Sequence, residues 1–429
     1  MGRRSGSTLL LTTFIVVLFL VSSYRVSAQK DSKTDRLPFG SSLSALKWDP
    51  VTNRAIDYGQ MFKSKTRKTD LTNKPSDLQY TYKSKTPPDQ GITLQSTLVE
   101  FDMLVTNKQG DYVKGLTKND FIVTEDNKPQ QIGTFALGGG VPRSIILILD
   151  YSSSEFPFFT ASIDAAKTLV TQLGPDDQMA IVTDDVDLVC DYTRDKNKIA
   201  AALESLKSKV KHGHRGRSLQ FTALLATMRE MLEDEPRPII IFQTDGDEAF
   251  LLRDQEHARE YFYPELDIAP SGEFGLIDVV NKAKRTQATI YSVIPGEQLI
   301  NIGEAERLER GSKMYQQAKD AYNHTGDLRV VPEETLEKFI GLRMIGQFGA
   351  SFVAEATGGW TGYLSTPNSA AEVYSKILAD INHRYAIGYY PANYSYDGKS
   401  RKVKIEVRGH PEYVVQGRTA YYPPKSTDK

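Results

Sequence analysis

The pattern of apolar and polar positions divides the chain into regions of different character. Between residues 141 and 383, short apolar runs alternate with stretches in which apolar residues recur at helical spacing. The run 144–149 is almost entirely apolar, as is typical of a central parallel strand covered on both faces. Runs of similar character follow at 179–182, 188–190, 238–242 and 288–294. This alternation predicts an α/β domain with a doubly wound, mostly parallel six-stranded sheet and helices on both faces.

The two flanks of this region show the alternation of half-buried strands instead. Short strands are predicted on both sides of it, at 98–105, 121–123, 131–135, 385–390, 403–407 and 413–415. A few strands alone leave edges and one face unburied. We therefore expect the flanks to pair into one immunoglobulin-like β-sandwich with the α/β region inserted into it. Two separate small sheets are the alternative.

The first residues have the pattern of a secretory signal peptide. Arg3 and Arg4 precede an apolar run over 9–21, and the small residues of 26–28 form a cleavage site. An uncleaved membrane anchor is the alternative, but the run is shorter than the ~20 residues that a bilayer requires. We therefore expect export to the periplasm or the cell exterior. No second apolar run of spanning length follows, so we expect no transmembrane segment in the mature chain.

Residues 29–90 are poor in periodic apolar positions and rich in Lys, Ser, Thr, Asp and Pro. Such a segment buries too little apolar surface to offset its ordering entropy, so we expect it to be largely disordered or loosely packed. The predicted division is a signal peptide at 1–28, a linker at 29–90, an N-terminal β module at 91–138, the α/β domain at 141–383, a C-terminal β module at 384–422 and a tail at 423–429.

Composition narrows the classes of function. The 429 residues carry a formal net charge of -1, which argues against a nucleic-acid partner. Cys190 is the only cysteine and lies in an apolar run, so we expect no internal disulfide and a buried core thiol. We find no His-Glu motif, nucleophile elbow or phosphate loop and predict that the protein is not an enzyme. A metal-dependent hydrolase is the alternative from the enzyme class.

Side chains with oxygen atoms follow the predicted strands at one edge of the sheet. Asp150, Ser152 and Ser154 form an Asp-x-Ser-x-Ser array directly after the first buried strand, and Asp245 follows another buried strand. Thr222 lies between them in sequence, at the start of a predicted helix. Because parallel strands end at a common edge, these loops are expected to meet there. Carboxylates and hydroxyls are hard ligands that suit Mg²⁺ or Mn²⁺.

Parts of this assignment have competing interpretations. Ser and Asp commonly cap helices after strands, so the array alone is a weak signal. Ser218 is the alternative to Thr222 as the ligand from the third loop. The acidic group at 184–187 would suit a second ion, but we interpret it as a solvated turn between strands.

The array resembles the metal-ion-dependent adhesion site of von Willebrand factor A domains, with matches at Asp150, Ser152, Ser154 and Asp245. The flanks are similar to the VWFA-related proteins of acidobacteria, through the segments 113–121 and 385–391. The likeness covers roughly residues 95–422. The sequence departs from relatives before Thr222, where Ser218-Leu219-Gln220-Phe221 stands in place of glycines.

The resemblance implies roles for these residues and a function for the site. Ser152 and Ser154 would bind the ion directly, Asp150 and Asp245 would act partly through water, and Thr222 would complete the set when a ligand is bound. An Asp or Glu from a protein partner would fill the open coordination position. The alternative function is a structural or assembly protein of the cell envelope with a vestigial metal site.

Overall fold

The structure is a computed structural model that describes residues 39–43, 48–49, 54–55, 98–138, 141–152, 155–210, 218–233, 235, 237–264, 268, 270–325, 335–393, 395 and 397–423. The predicted signal peptide, most of the predicted linker and Ser154 lie outside these residues. All the elements below belong to one compact unit, Phe39–Lys429.

Strands and helices are numbered here along the chain. The strands are β1 (Trp48–Asp49), β2 (Arg54–Ala55), β3 (Val99–Thr106), β4 (Phe121–Glu125), β5 (Lys128–Gln130), β6 (Ile132–Leu137), β7 (Ser144–Leu149), β8 (Gln178–Thr183), β9 (Leu188–Thr193), β10 (Pro238–Gln243), β11 (Thr289–Pro295), β12 (Thr361–Leu364), β13 (Tyr385–Tyr389), β14 (Arg401–Val407), β15 (Val414–Gln416) and β16 (Ala420–Tyr421). The helices are α1 (Phe156–Thr171), α2 (Lys196–Val210), α3 (Gln220–Glu230), α4 (Glu256–Phe262), α5 (Leu276–Arg285), α6 (Glu304–Thr325), α7 (Leu336–Ala356) and α8 (Ser369–His383).

The central sheet has the predicted doubly wound architecture. Its six strands follow the order β12-β11-β10-β7-β8-β9, and all neighbours are parallel except β8 and β9. The chain builds outward from β7 to one edge and then returns to β10 and builds toward the other. The two halves therefore diverge between β7 and β10, which is where ligands bind in open sheets of this type.

Both faces of the sheet are covered, which explains why its central strand β7 is almost entirely apolar. Ile146 and Ile148 of β7 belong to a buried cluster with residues of α3, α5 and α7. Ile145, Leu147 and Leu149 belong to the cluster on the opposite face, with residues of α1, α2 and α8. Because successive side chains of a strand point to opposite faces, a strand between two helical layers buries both sets of side chains, which favours apolar residues at most positions.

The two flanks form one β-sandwich, so the single-sandwich prediction is confirmed over two separate sheets. Its sheets have the orders β15-β3-β13-β6 and β16-β14-β4-β5, and each combines strands from both ends of the chain. They share a core in which Phe101 of β3 packs edge-on against Tyr421 of β16. Glu125 lies buried in this core and accepts hydrogen bonds from the hydroxyls of Tyr389 (2.9 Å) and Tyr421 (3.0 Å).

A buried polar network joins the sandwich to the α/β domain. Arg384, at the end of α8, donates to the hydroxyl of Tyr291 (2.9 Å), to Asp380 Oδ2 (3.2 Å) and to the carbonyl oxygen of Asp102 on β3 (3.1 Å). Asp380 Oδ2 also accepts from the Tyr291 hydroxyl (2.7 Å) and from Trp360 Nε1 (3.2 Å). A buried ion pair with this many partners holds the two modules in one arrangement.

Part of the predicted linker packs against the α/β domain. Leu43 is buried in the cluster that contains α3. The backbone amides of Gly40 and Ser42 donate to the carboxylate of Glu230, at 2.9 and 2.8 Å. Residues 39–43 thus differ from the loosely packed segment that composition indicated, because two apolar side chains, Phe39 and Leu43, and one distant carboxylate anchor these five residues.

The segment 297–347 contains α6 and the first half of α7. Helix α6 is mostly exposed, so it lacks the apolar stripe that would have identified it. Cys190 is free and buried, as predicted. Among the described residues, no helix is both long and apolar enough to cross a membrane.

Candidate metal centre

The candidate site lies at the edge of the sheet where β7 and β10 end. These strands pair in parallel with Leu149 opposite Gln243, so the residues that follow the two strands lie side by side. The backbone amide of Asp150 donates to the carbonyl oxygen of Gln243 at 3.1 Å, which extends the ladder into the first loop. Asp150 and Asp245 are therefore brought together by strand pairing, as the sequence predicted.

Both aspartates are buried and share one hydrogen-bond donor. Gln220 Nε2, in the first turn of α3, lies 2.7 Å from Asp150 Oδ2 and 2.9 Å from Asp245 Oδ1. The other end of the amide accepts from the backbone amide of Glu248 at 3.0 Å, which directs the NH₂ group to the aspartates. The Asp245 loop is closed by the backbone amide of Asp247, which donates to Asp245 Oδ1 at 3.1 Å.

A third carboxylate completes the cluster, and the sequence analysis did not identify it. Glu155 directly precedes α1, and its carboxylate oxygen lies with oxygens of Asp150 and Asp245 in a group whose members are all within 4.8 Å of one another. Glu155 is fully buried. Its Oε2 is 3.5 Å from Gln243 Nε2, and its Oε1 has no hydrogen-bond partner among the described residues.

Burial and mutual repulsion raise the affinity of these carboxylates for protons. Burial raises the pKa of Asp150 to about 6, and the negative charge of Asp245 adds to the effect. The pKa of Glu155 is raised well above its usual value, first by burial and then by the charges of Asp150 and Asp245. Carboxylates that repel one another in a buried site favour a bound proton or a cation.

The predicted hydroxyl ligands differ in their distance from the aspartates. The backbone amide of Ser152 donates to Asp150 Oδ1 at 2.9 Å, and its side chain also bonds to Asp150. Thr222 is not brought to the aspartates, because its hydroxyl and its amide both donate to the buried carboxylate of Glu248. Ser218, the alternative, lies at the site with its hydroxyl 3.2 Å from Asp150 Oδ1.

Asp184 differs from the solvated turn that we expected. Its side chain is fully buried and accepts a hydrogen bond from the backbone amide of Tyr151 at 3.1 Å. The hydroxyl of Ser218 also donates to Asp184, so this serine connects Asp184 with Asp150. Asp184 therefore supports the first loop from the side of β8.

Arg343 is the positively charged member of the site. It lies on α7, and its Nη1 is 3.1 Å from Asp245 Oδ2 and 3.2 Å from Asp247 Oδ1. The sequence carries little signal for it, because Arg343 is 98 residues away from Asp245 in the chain. Glu155 carried a weak signal: an acidic residue at a helix start is common for reasons of helix electrostatics alone.

The donor set fits a divalent cation. A bond length of about 2.1 Å to Mg²⁺ separates opposite ligand oxygens by about 4.2 Å, so a spacing below 4.8 Å needs only a small contraction. The unpaired oxygen of Glu155 is a buried acceptor that a cation would satisfy. Asp150, Asp245 and Glu155 would hold the ion, with the Ser152 hydroxyl beside them.

Fold and site together define a doubly wound α/β domain that is inserted into a β-sandwich. An acidic cluster suited to a metal ion lies where β7 and β10 of this domain end. Residues 145–248 match the family model of the von Willebrand factor type A domain. The chain is thus a protein with a von Willebrand factor type A domain, and the match covers both loops that carry the aspartates. Domains of this family usually serve in interaction rather than catalysis and often bind a divalent metal ion. No curated protein matches the chain.

Several solved structures are similar to parts of the chain. Proximal thread matrix protein 1 from the mussel byssus is 11% identical, and the match covers 60% of this chain and half of the mussel protein, with a TM-score of 0.35. The protein BatB from Bacteroides thetaiotaomicron is 15% identical over 56% of this chain and 98% of its own, with a TM-score of 0.32. The vWF domain of the pilus tip protein Mfa5 from Porphyromonas gingivalis is 13% identical over 56% and 95%, with a TM-score of 0.33.

Proposed function

We propose that this protein is an exported, non-catalytic binding module that captures a partner carboxylate through one divalent metal ion. The observation that carries the proposal is the convergence of three buried carboxylates, one with an unpaired oxygen, where β7 and β10 end. Mg²⁺ or Mn²⁺ suits this set of oxygen ligands. When bound, the ion would supply a Lewis-acidic position open to an Asp or Glu of a protein partner.

The residues around the ion position have separate tasks in this proposal. Asp150, Asp245 and Glu155 supply negative charge from two loops and the start of one helix. Gln220 holds the two aspartates at a common distance through one amide group. Ser218 and Asp184 support the first loop from behind. Because the Gln220 contacts are buried and the Ser218 contacts are partly buried, the loops are positioned before a partner arrives, which reduces the entropic cost of binding.

The second candidate is a structural protein of the cell envelope with a vestigial metal site. One observation favours it: nitrogen donors of Gln220 and Arg343 already satisfy oxygens of both aspartates. A site whose acceptors are bonded to the protein needs no ion to be stable. The two candidates differ in whether the protein binds metal at all.

Titration calorimetry of Mn²⁺ and Mg²⁺ into the full chain separates these candidates. We expect one saturable site, with an affinity about 100-fold lower when Asp150→Asn and Asp245→Asn are combined, since both changes remove a ligand charge but keep the side-chain shape. The matched control combines Asp164→Asn and Asp176→Asn, two exposed positions away from the site. Absence of binding to the folded wild-type chain would favour the structural candidate.

Capture of a carboxylate is tested next at saturating Mn²⁺. The probe is a short acetylated peptide with a central glutamate, and its control has glutamine at that position. Metal-dependent binding of the first peptide only is the expected result. Equal binding of both peptides, or equal binding in EDTA, would show that the site does not recognise a carboxylate through the ion.

Export is a separate part of the proposal and rests on residues 1–28, outside the described part of the chain. Cleavage after Ala28 is expected, which makes Gln29 the first residue of the mature protein. Intact-mass measurement of the protein recovered from a secreting bacterial host checks this. A mass that includes the apolar run 9–21 would indicate a retained anchor instead.

A further inference from the structure

Helix α7 crosses directly over the loop that carries Asp245. Gly346 of α7 packs against this loop so closely that a Cβ atom at Gly346 would lie 2.6 Å from the carbonyl oxygen of Asp245. Gly246, on the loop side, has φ of +76°, a conformation that favours glycine, and a Cβ there would lie 2.5 Å from the carbonyl oxygen of Gly346. The contact requires glycine on both sides, so α7 and the loop that carries Asp245 pack together backbone to backbone.

Arg343 is placed by this contact, since it lies one turn before Gly346 on α7. Its Nη1 is shared between Asp245 Oδ2 (3.1 Å) and Asp247 Oδ1 (3.2 Å). The guanidinium of Arg343 lies over the ring of Phe339, with 5.6 Å between the guanidinium carbon and the ring centroid. Its side chain is 23% exposed, against 3% for Asp245. The guanidinium therefore covers the site from the solvent side.

We propose that Arg343 is a tethered cation that competes with the metal ion for Asp245, so that the seating of α7 controls access of metal to the site. This inference rests on the metal-binding role proposed above. A metal ion and a guanidinium beside the same carboxylate repel each other, and in a buried site this repulsion is weakly screened. Asp247 is the natural acceptor for a guanidinium that leaves Asp245, because it already lies at hydrogen-bond distance from the same nitrogen.

The unpaired Oε1 atom of Glu155 supports competition between Arg343 and a metal ion, rather than a site in which Arg343 permanently takes the place of the ion. If Arg343 fully satisfied the acidic cluster, each buried carboxylate would have a donor. Glu155 Oε1 has none among the described residues, while the arginine reaches only Asp245 and the more exposed Asp247. One tethered charge thus leaves the cluster with an excess of negative charge that a divalent ion would neutralise.

The test is the affinity of the full chain for Mn²⁺ by calorimetry. We expect Arg343→Gln to bind Mn²⁺ at least ten-fold more tightly than the wild type, because the competing cation is gone. Arg343→Lys keeps the charge and should stay within about three-fold of the wild type. Arg310→Gln, on α6, removes an arginine that pairs with Glu306 instead and is the matched control for net charge, with no expected change. Arg343→Met repeats the test with the stem retained.

The outcomes separate this inference from the function on which it rests. Tighter binding in both Arg343→Gln and Arg343→Met, with Arg310→Gln unchanged, supports competition. Equal or weaker binding in folded Arg343 variants, beside clear binding by the wild type, overturns it and leaves the metal site intact. If neither the wild type nor the variants bind Mn²⁺ while circular dichroism shows native structure, the metal site itself is refuted and the competition with it.

Discussion

Replacing Arg384 with methionine is expected to lower the free energy of unfolding by about 3–5 kcal/mol, because it leaves the carboxylate of Asp380 buried without its counter-charge. Arg384 and Asp380 are each 2% exposed. The same change removes the donors to the carbonyl oxygens of Asp102 and Gly358. Urea denaturation followed by tryptophan fluorescence measures the loss, since Trp360 donates to Asp380.

A surface pair provides the control for this variant. Arg253 and Asp278 form an ion pair in which both side chains are about half exposed. Arg253→Met should cost less than about 1 kcal/mol, since solvent screens exposed pairs. If Arg384→Met costs no more than Arg253→Met, the buried network does not hold the sandwich to the α/β domain.

Replacing Glu155 with glutamine is expected to have opposite effects on stability and on metal binding. In EDTA at pH 7.5 the variant should be more stable than the wild type by about 3 kcal/mol, because it removes an unsatisfied buried acid and supplies an amide donor beside Asp150 and Asp245. In Mn²⁺ titrations it should bind about ten-fold more weakly, because one ligand charge is lost. Urea denaturation and calorimetry on the same samples give both values.

The pH dependence of stability gives this prediction a definite sign. The pKa of Glu155 is raised in the folded state by burial and by the charges of Asp150 and Asp245. Between its usual pKa and the raised value, the folded state holds a proton that the unfolded state has lost. The metal-free wild type should therefore lose stability as pH rises above about 4.5, with a slope of up to about 1.4 kcal/mol per pH unit from this group.

In Glu155→Gln this part of the slope disappears, whereas in Glu372→Gln, an exposed position on α8, it should persist. Stability in EDTA measured between pH 5 and pH 7.5 distinguishes the two. Equal slopes in the wild type and in Glu155→Gln would mean that the fold does not raise the pKa of Glu155.

The central strands were recognisable from sequence because their environment leaves a local signature. A parallel strand between two helical layers is apolar at nearly every position, as in β7 and β10. Strand β12 is only four residues long and lies at the edge of the sheet, so its mixture of Thr, Gly, Tyr and Leu carries no such signature. Helix α6 was not recognisable from sequence either, since an exposed helix has no continuous apolar stripe.

Site residues that directly follow paired strands were predictable from sequence, whereas those whose position depends on helix packing were not. Asp150 and Asp245 follow paired strands, and their proximity needs only the rule that parallel strands end at one edge. Whether Thr222 or Gln220 faces the aspartates depends on the rotation of α3 about its axis, and this helix begins at Gln220. That rotation turns Gln220 toward the aspartates and Thr222 toward Glu248, and no local pattern encodes it.

By itself, the sequence determined the fold class, the alternation of strands and helices and the two aspartate loops, because each depends on side-chain periodicity or on residues next to a strand end. The tertiary structure decided which flanking strands pair, because strands as distant as β3 and β13 meet only when the intervening domain closes the gap between them. It also decided that Glu155 and Arg343 belong to the acidic site. Their roles come from burial and from the charges of residues far away in the chain, which are properties of the packed molecule rather than of any segment.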